Sequence, residues 1–307
     1  MQPREIAVGF VAPGVIAGLT LLAGRFGRRT PEAEPAWWTR VLPPAAVALG
    51  FVPAYMALNG YRFELWDKNG AMRYGAIISV VLAAGLLTAI LRGSSAMVAT
   101  LRVAMFAGLG WITAGALTPG FFSWDQLTAI MLGVGVIGAG VAHVLDRVAA
   151  DVHGWRFPLV LLPVVGLAAP TLFFNGYASG ALLAGGLVAI VAASAVAGVL
   201  VPKQRFDGGG VTTVLGLVIA MLLVHQGFDA GAPQTPAIVL LLGLAMPAII
   251  LWGPLAKRRP IVRTAAATVA AIAAGGLALF AALQFNPESE ADAGSGYDPY
   301  GEYDPGN

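Results

Sequence analysis

The sequence predicts an all-α fold, a polytopic transmembrane helical bundle of about ten spanning helices, and three observations predict it. Hydrophobic residues make up 58% of the 307 and charged residues only 11%, with a mean hydropathy of +0.78. So little polar surface cannot coat a water-facing core, and lipid is the expected solvent. The apolar residues fall into ten runs, each close to the roughly 20 residues that cross a bilayer. Between these runs, Lys and Arg concentrate in alternate loops, as the positive-inside rule requires of a multi-pass chain.

The runs cover 6–23, 41–58, 74–91, 101–117, 127–145, 157–174, 178–201, 211–226, 236–255 and 262–283. The first follows Arg4 as a signal peptide would. However, Leu22-Ala23-Gly24-Arg25 is a poor small-residue cleavage site, so a retained helix is expected. Loop one then carries Arg25, Arg28, Arg29 and Arg40; loop three Arg92 and Arg102; loop five Arg147 and Arg156; loop seven Lys203 and Arg205; loop nine Lys257, Arg258, Arg259 and Arg263. These are fourteen of the eighteen basic residues. The even loops hold only Arg62, Lys68 and Arg73, all in loop two. The odd loops are therefore expected in the cytoplasm and both termini outside, in a bacterial cytoplasmic (inner) membrane. The forty glycines suit helices that pack by close backbone approach, and the absence of cysteine removes disulfides, thiolate metal sites and a Cys nucleophile.

Self-similarity suggests an internal repeat. At a spacing of 116 residues, Arg40, Gly50 and Asn59-Gly60-Tyr61 align with Arg156, Gly166 and Asn175-Gly176-Tyr177. At a spacing of 108, Gln126, Ala129, Ile130, Leu132 and Gly135 align with Gln234, Ala237, Ile238, Leu240 and Gly243. The register is four helices, four helices and two, which makes the repeats parallel rather than inverted. This divides a transmembrane domain of residues 1–285 into 1–124, 125–232 and 233–285. It is followed by an acidic tail, 286–307, whose six acids and lack of basic residues predict disorder.

The outward loops hold the candidate ligand or partner site: Asn59, Tyr61, Arg62, Glu64, Trp66 and Asp67 in loop two, Asp125 in loop four, Asn175 and Tyr177 in loop six, and His225 in loop eight. The competing reading is an aromatic belt with turn-forming Asn and Gly closing helices. Loop two differs from its repeat counterpart by the charged insertion 62–73, which makes it the first place to look for recognition outside the membrane.

Few residues suggest chemistry. Every Asp, Glu, Lys and Arg is expected at a helix end, in a loop or in the tail, which argues against a proton pump, a voltage sensor or a proton-coupled antiporter. His143 with Asp146, Asp151 and His153 supplies metal-ligand atoms without diagnostic spacing. His143 and His225 are expected at opposite faces, so no transmembrane haem is expected. Ser123, Asp125 and His225 are the residue types of a hydrolytic triad, with no Gly-x-Ser-x-Gly to support it. Gly133, Gly135 and Gly138 spell a dinucleotide fingerprint, but they lie in a helix with no preceding strand, so helix packing explains them better. Lys257, Arg258 and Arg259 read as a topology determinant.

No catalytic, cofactor-binding or metal-binding residue is assigned, and no cofactor. The expected function is that of a non-catalytic membrane subunit or scaffold. Its expected partners are membrane lipids and other membrane proteins, met through the outer loops and tail, and not nucleic acid. The alternative is a small-solute or lipid permease with its site between the repeats, and the third reading is a membrane-embedded hydrolase or transferase.

Overall fold

A computed structural model describes residues 7–25, 37–59, 61–65, 73–91, 95–115, 123–152, 156–174, 178–200, 206, 208–228, 235–251 and 253–284. Among them there is no strand. Helical segments overlie each apolar run: α1 (Ala12–Leu22, entered through a π turn, Ala7–Val11), α2 (Leu42–Leu58), α3 (Tyr74–Ile90), α4 (Ser95–Ala114), α5 (Trp124–Asp151), α6 (Arg156–Phe174), α7 (Ala178–Leu200), α8 (Gly208–Phe228), α9 (Thr235–Ala245) and α10 (Pro260–Gln284). Pro247 cannot donate a helical hydrogen bond, and the chain beyond α9 tightens into a 3-10 segment, Met246–Leu251, before the single turn Gly253–Ala256. Six of the helices are long and apolar enough to cross a membrane, while the apolar segments Ala7–Leu22, Tyr74–Ile90, Gly208–Val224 and Ile238–Leu251 are shorter.

The bundle is built round α8. Every residue from Gly209 to Leu222 is buried, as expected of a helix apolar on all sides. Helices α2, α3, α4, α5 and α7 all pack on it. Small residues allow the closest crossings. A Cβ on Gly209 would stand 2.6 Å from the Gly85 carbonyl of α3, and one on Gly186 of α7 would stand 2.7 Å from Ala54 Cβ and 3.0 Å from the Gly9 carbonyl. In α5, Gly138 lies under the Phe106 ring of α4 and Gly135 faces the Val103 carbonyl, so the glycine fingerprint is spent on packing. The glycines paired by the repeat play different parts. A Cβ on Gly50 would stand 2.9 Å from both Ile190 Cγ1 and the Pro13 carbonyl, whereas nothing lies within 4 Å of one on Gly166.

Large apolar side chains face outward in stripes: Val11, Val15 and Leu19 on α1, Leu132 and Val136 on α5, and Val269, Ile272, Phe280 and Leu283 on α10. In water such surfaces would drive aggregation, and in a bilayer they are ordinary lipid contacts. The fold is thus compatible with an integral membrane protein.

One end of the bundle gathers the start of α4, α8 and α10 with the end of α3 and α5. There Arg102 meets Asp146 and Gly208, and Arg263 of α10 pairs with Asp151 at 2.6 Å. This is the basic end. At the other end Trp111 and Trp124 stack with ring centroids 6.3 Å apart, and Arg73 donates to the Ile112 carbonyl near the C-terminus of α4, a favourable place for a cation.

Candidate functional site

The described part of loop two folds back on the bundle. The Tyr61 N–H reaches the Met56 carbonyl at 2.7 Å, closing α2 in the manner of a Schellman end, and Tyr61 itself takes the left-handed φ of 64°. Tyr55, 1% exposed, donates its hydroxyl to the Glu64 carbonyl at 2.9 Å and accepts from Asn59 Nδ2 at 3.1 Å. The Phe63 ring meets the Tyr55 ring edge-on at 5.7 Å, and Gly75 leaves room for the Glu64 backbone, where any Cβ would collide. Asn59, Tyr61 and Glu64 therefore belong to a knitted cap, and the Arg62 side chain stands exposed beside it.

Asp125 is exposed in the first turn of α5, where its charge suits the helix dipole. Ser123 is the N-cap of that helix. It accepts from the Gln126 N–H at 3.2 Å while its own N–H donates to Gln126 Oε1 at 2.9 Å, a complete capping box. His225 falls in the last turns of α8, and its side chain, like Trp66, Asp67, Asn175, Tyr177, His153 and the acidic tail, lies outside the described residues.

The structure corrects the expectation that every Asp, Glu, Lys and Arg lies at a helix end, in a loop or in the tail. Helix α4 begins at Ser95 rather than 101, so Arg102 sits two turns inside it and is only 2% exposed. Helix α5 likewise runs on to Asp151, which places Asp146 within it. Both helices outlast their apolar runs because their facing sides still have neighbours to pack against. Arg102 Nη2 pairs with Asp146 Oδ2 at 2.6 Å and donates to the Gly208 carbonyl at 3.1 Å, and Nε donates to Thr212 Oγ1 at 2.9 Å. Thr212 in turn donates to the Gly208 carbonyl at 2.6 Å. A buried guanidinium is costly unless its donors are used. Two of its nitrogens are used, whereas Nη1, with two N–H donors, has no partner among the described residues.

Beside Arg102 lies a cavity of about 320 Å³. Its wall includes Thr88 from α3 and Gly208 and Gly209 from the first turn of α8, and its rim carries the exposed residues Ser95, Ala99, His143 and Arg147. The Thr88 hydroxyl is buried and unpartnered. Among the described residues lining it are the guanidiniums of Arg102 and Arg147 and the carboxylate of Asp146, which Arg102 engages. Among the described residues no three His, Asp or Glu side chains cluster as a metal site would require. A second cavity, lined by Phe10, Leu58, Phe173 and Leu182, is apolar apart from Ser179 and offers little chemistry.

The signal for Arg102 was present in the sequence as a single charge at the eighth position of the otherwise uncharged stretch 95–114. In an apolar run that begins at 101 the charge falls at the second position, where it reads as a helix end.

Comparison with protein-family models, curated proteins and solved structures finds no match for the chain.

Proposed function

We propose that the chain is a multi-pass integral membrane protein that takes up a small polar solute at its basic end and passes it across the bilayer, a permease. The observation that carries this reading is Arg102, a buried guanidinium kept with unused donors on the wall of a cavity. Ionisable residues inside membrane helices are rare and mark solute pathways more often than they serve stability. With the basic end in the cytoplasm of a bacterial inner membrane, as the Lys and Arg distribution favours, the cavity is an inward-facing vestibule. Beyond it the bundle closes over Val81, Met105, Phe106 and Leu109, so passage needs a rearrangement of α4 and α5 against α8.

That closed interior also favours a second reading, a static membrane subunit that uses the cavity only to hold a ligand. Flux measurements in proteoliposomes separate the two. A permease carries a panel of small organic and inorganic anions faster than protein-free liposomes do, and Ala99→Trp, which fills the exposed rim of the cavity, abolishes the difference. Flux no faster than through protein-free liposomes leaves the subunit reading.

A further inference from the structure

Resting on the reading of this cavity as a solute site, we propose that what it binds is a phosphate group. The argument is one of donors and charge. Arg102 Nη1 offers two N–H donors from a side chain 2% exposed, on a residue lining the cavity. Arg147 stands at the rim with its charge. Gly208 and Gly209 bring the first turn of the 21-residue α8, and with it the positive end of the helix dipole, to the cavity wall.

Asp146 Oδ2 is held by Arg102 at 2.6 Å, which balances the Arg102 charge. It also orients the guanidinium. Among the described residues, Arg147 is then the charge in excess at the cavity, and a neutral solute would leave it unanswered. A carboxylate would answer the charge, but its two oxygens lie in one plane. Here the donors come from α4, α5 and α8 around one space, an arrangement that suits a tetrahedral group accepting from several directions. The phosphate has two sources that share this chemistry, a free phosphate or phosphomonoester from the aqueous side and the headgroup of an anionic lipid.

The 307-residue chain has no cysteine, so a single Ala99→Cys in it reports on the rim without background. Its labelling by a small maleimide is followed in nanodiscs at constant ionic strength. In phosphatidylcholine discs, inorganic phosphate slows labelling by about tenfold once it reaches roughly ten times its dissociation constant, and chloride does not. If the headgroup is the ligand, labelling slows instead as phosphatidylglycerol replaces phosphatidylcholine with no phosphate added. Either result supports the proposal and identifies the source. In the background of Arg102→Met with Asp146→Leu, which removes both charges together so that neither is left buried alone, both effects vanish. Arg147→Gln, at an exposed position, weakens them. Unprotected labelling in both lipid mixtures, or protection that persists in the double variant, overturns the phosphate assignment. Flux that Ala99→Trp abolishes, found without phosphate protection, sinks the phosphate assignment alone and leaves the permease reading intact.

Discussion

Removing the Asp146 carboxylate exposes how the Arg102 cluster is built. Asp146→Ala leaves a guanidinium that is 2% exposed without its counter-ion. Breaking a buried pair in this way costs about 3–5 kcal/mol. The lower end applies here, because the Asp146 side chain is 28% exposed and because Thr212 Oγ1 and the Gly208 carbonyl still accept from Arg102. The expected loss is therefore about 3 kcal/mol, which at roughly 2 °C per kcal/mol for a chain of this size lowers the melting temperature by about 6 °C. Replacing both residues, Arg102→Met with Asp146→Leu, removes the pair without stranding either charge, and it recovers most of that loss. The assay is a double-mutant cycle on unfolding in mixed micelles, completed by the Arg102→Met single variant. A coupling energy below about 0.5 kcal/mol would show that the two charges do not depend on each other, and the reasoning would fail.

Other perturbations follow from the same structure. Gly138→Ala drives a methyl into the Phe106 ring and should destabilise by about 1–3 kcal/mol, whereas Gly140→Ala, with nothing within 4 Å of the new methyl, should be neutral or slightly stabilising; thermal melts of the two compare them directly. Tyr55→Phe deletes the hydroxyl that joins Asn59 to the Glu64 carbonyl, costing about 1 kcal/mol and hastening hydrogen exchange over 59–65. Tyr61→Gly relieves the left-handed φ of 64° and should raise stability by about 1 kcal/mol, read as a higher midpoint in denaturant. Ser123→Ala breaks the capping box of α5 and should cost about 1 kcal/mol, read as a lower midpoint in denaturant.

Hydrophobic runs made the helices easy to find. A stretch such as 178–200 contains no charged residue and has no other low-energy state in lipid than a helix, so the length of the run nearly gives the element. The turn at Asn59 was similarly legible, since Asn-Gly after an apolar helix is a local stop signal. Whether Asn59 and Tyr61 recognise anything was not, because the Tyr55 hydroxyl that draws Asn59 and the Glu64 carbonyl together acts across nine residues and leaves no periodic trace. Arg102 was hidden for a related reason. A charge counts as a helix terminator in a hydropathy profile, but its partners, Asp146 and Gly208, are distant in sequence, and only packing of α4, α5 and α8 makes a buried position tolerable. Residues such as Ser123 that looked chemical in isolation proved to be doing local work at a helix end.

The most direct test of the proposed inward-facing cavity, at the basic end of the bundle, is the sidedness of labelling at Ala99→Cys. An impermeant maleimide should label this one cysteine in inverted vesicles and spare it in right-side-out vesicles until they are permeabilised. Labelling from the outside of intact right-side-out vesicles, or no labelling from either side, would contradict the account.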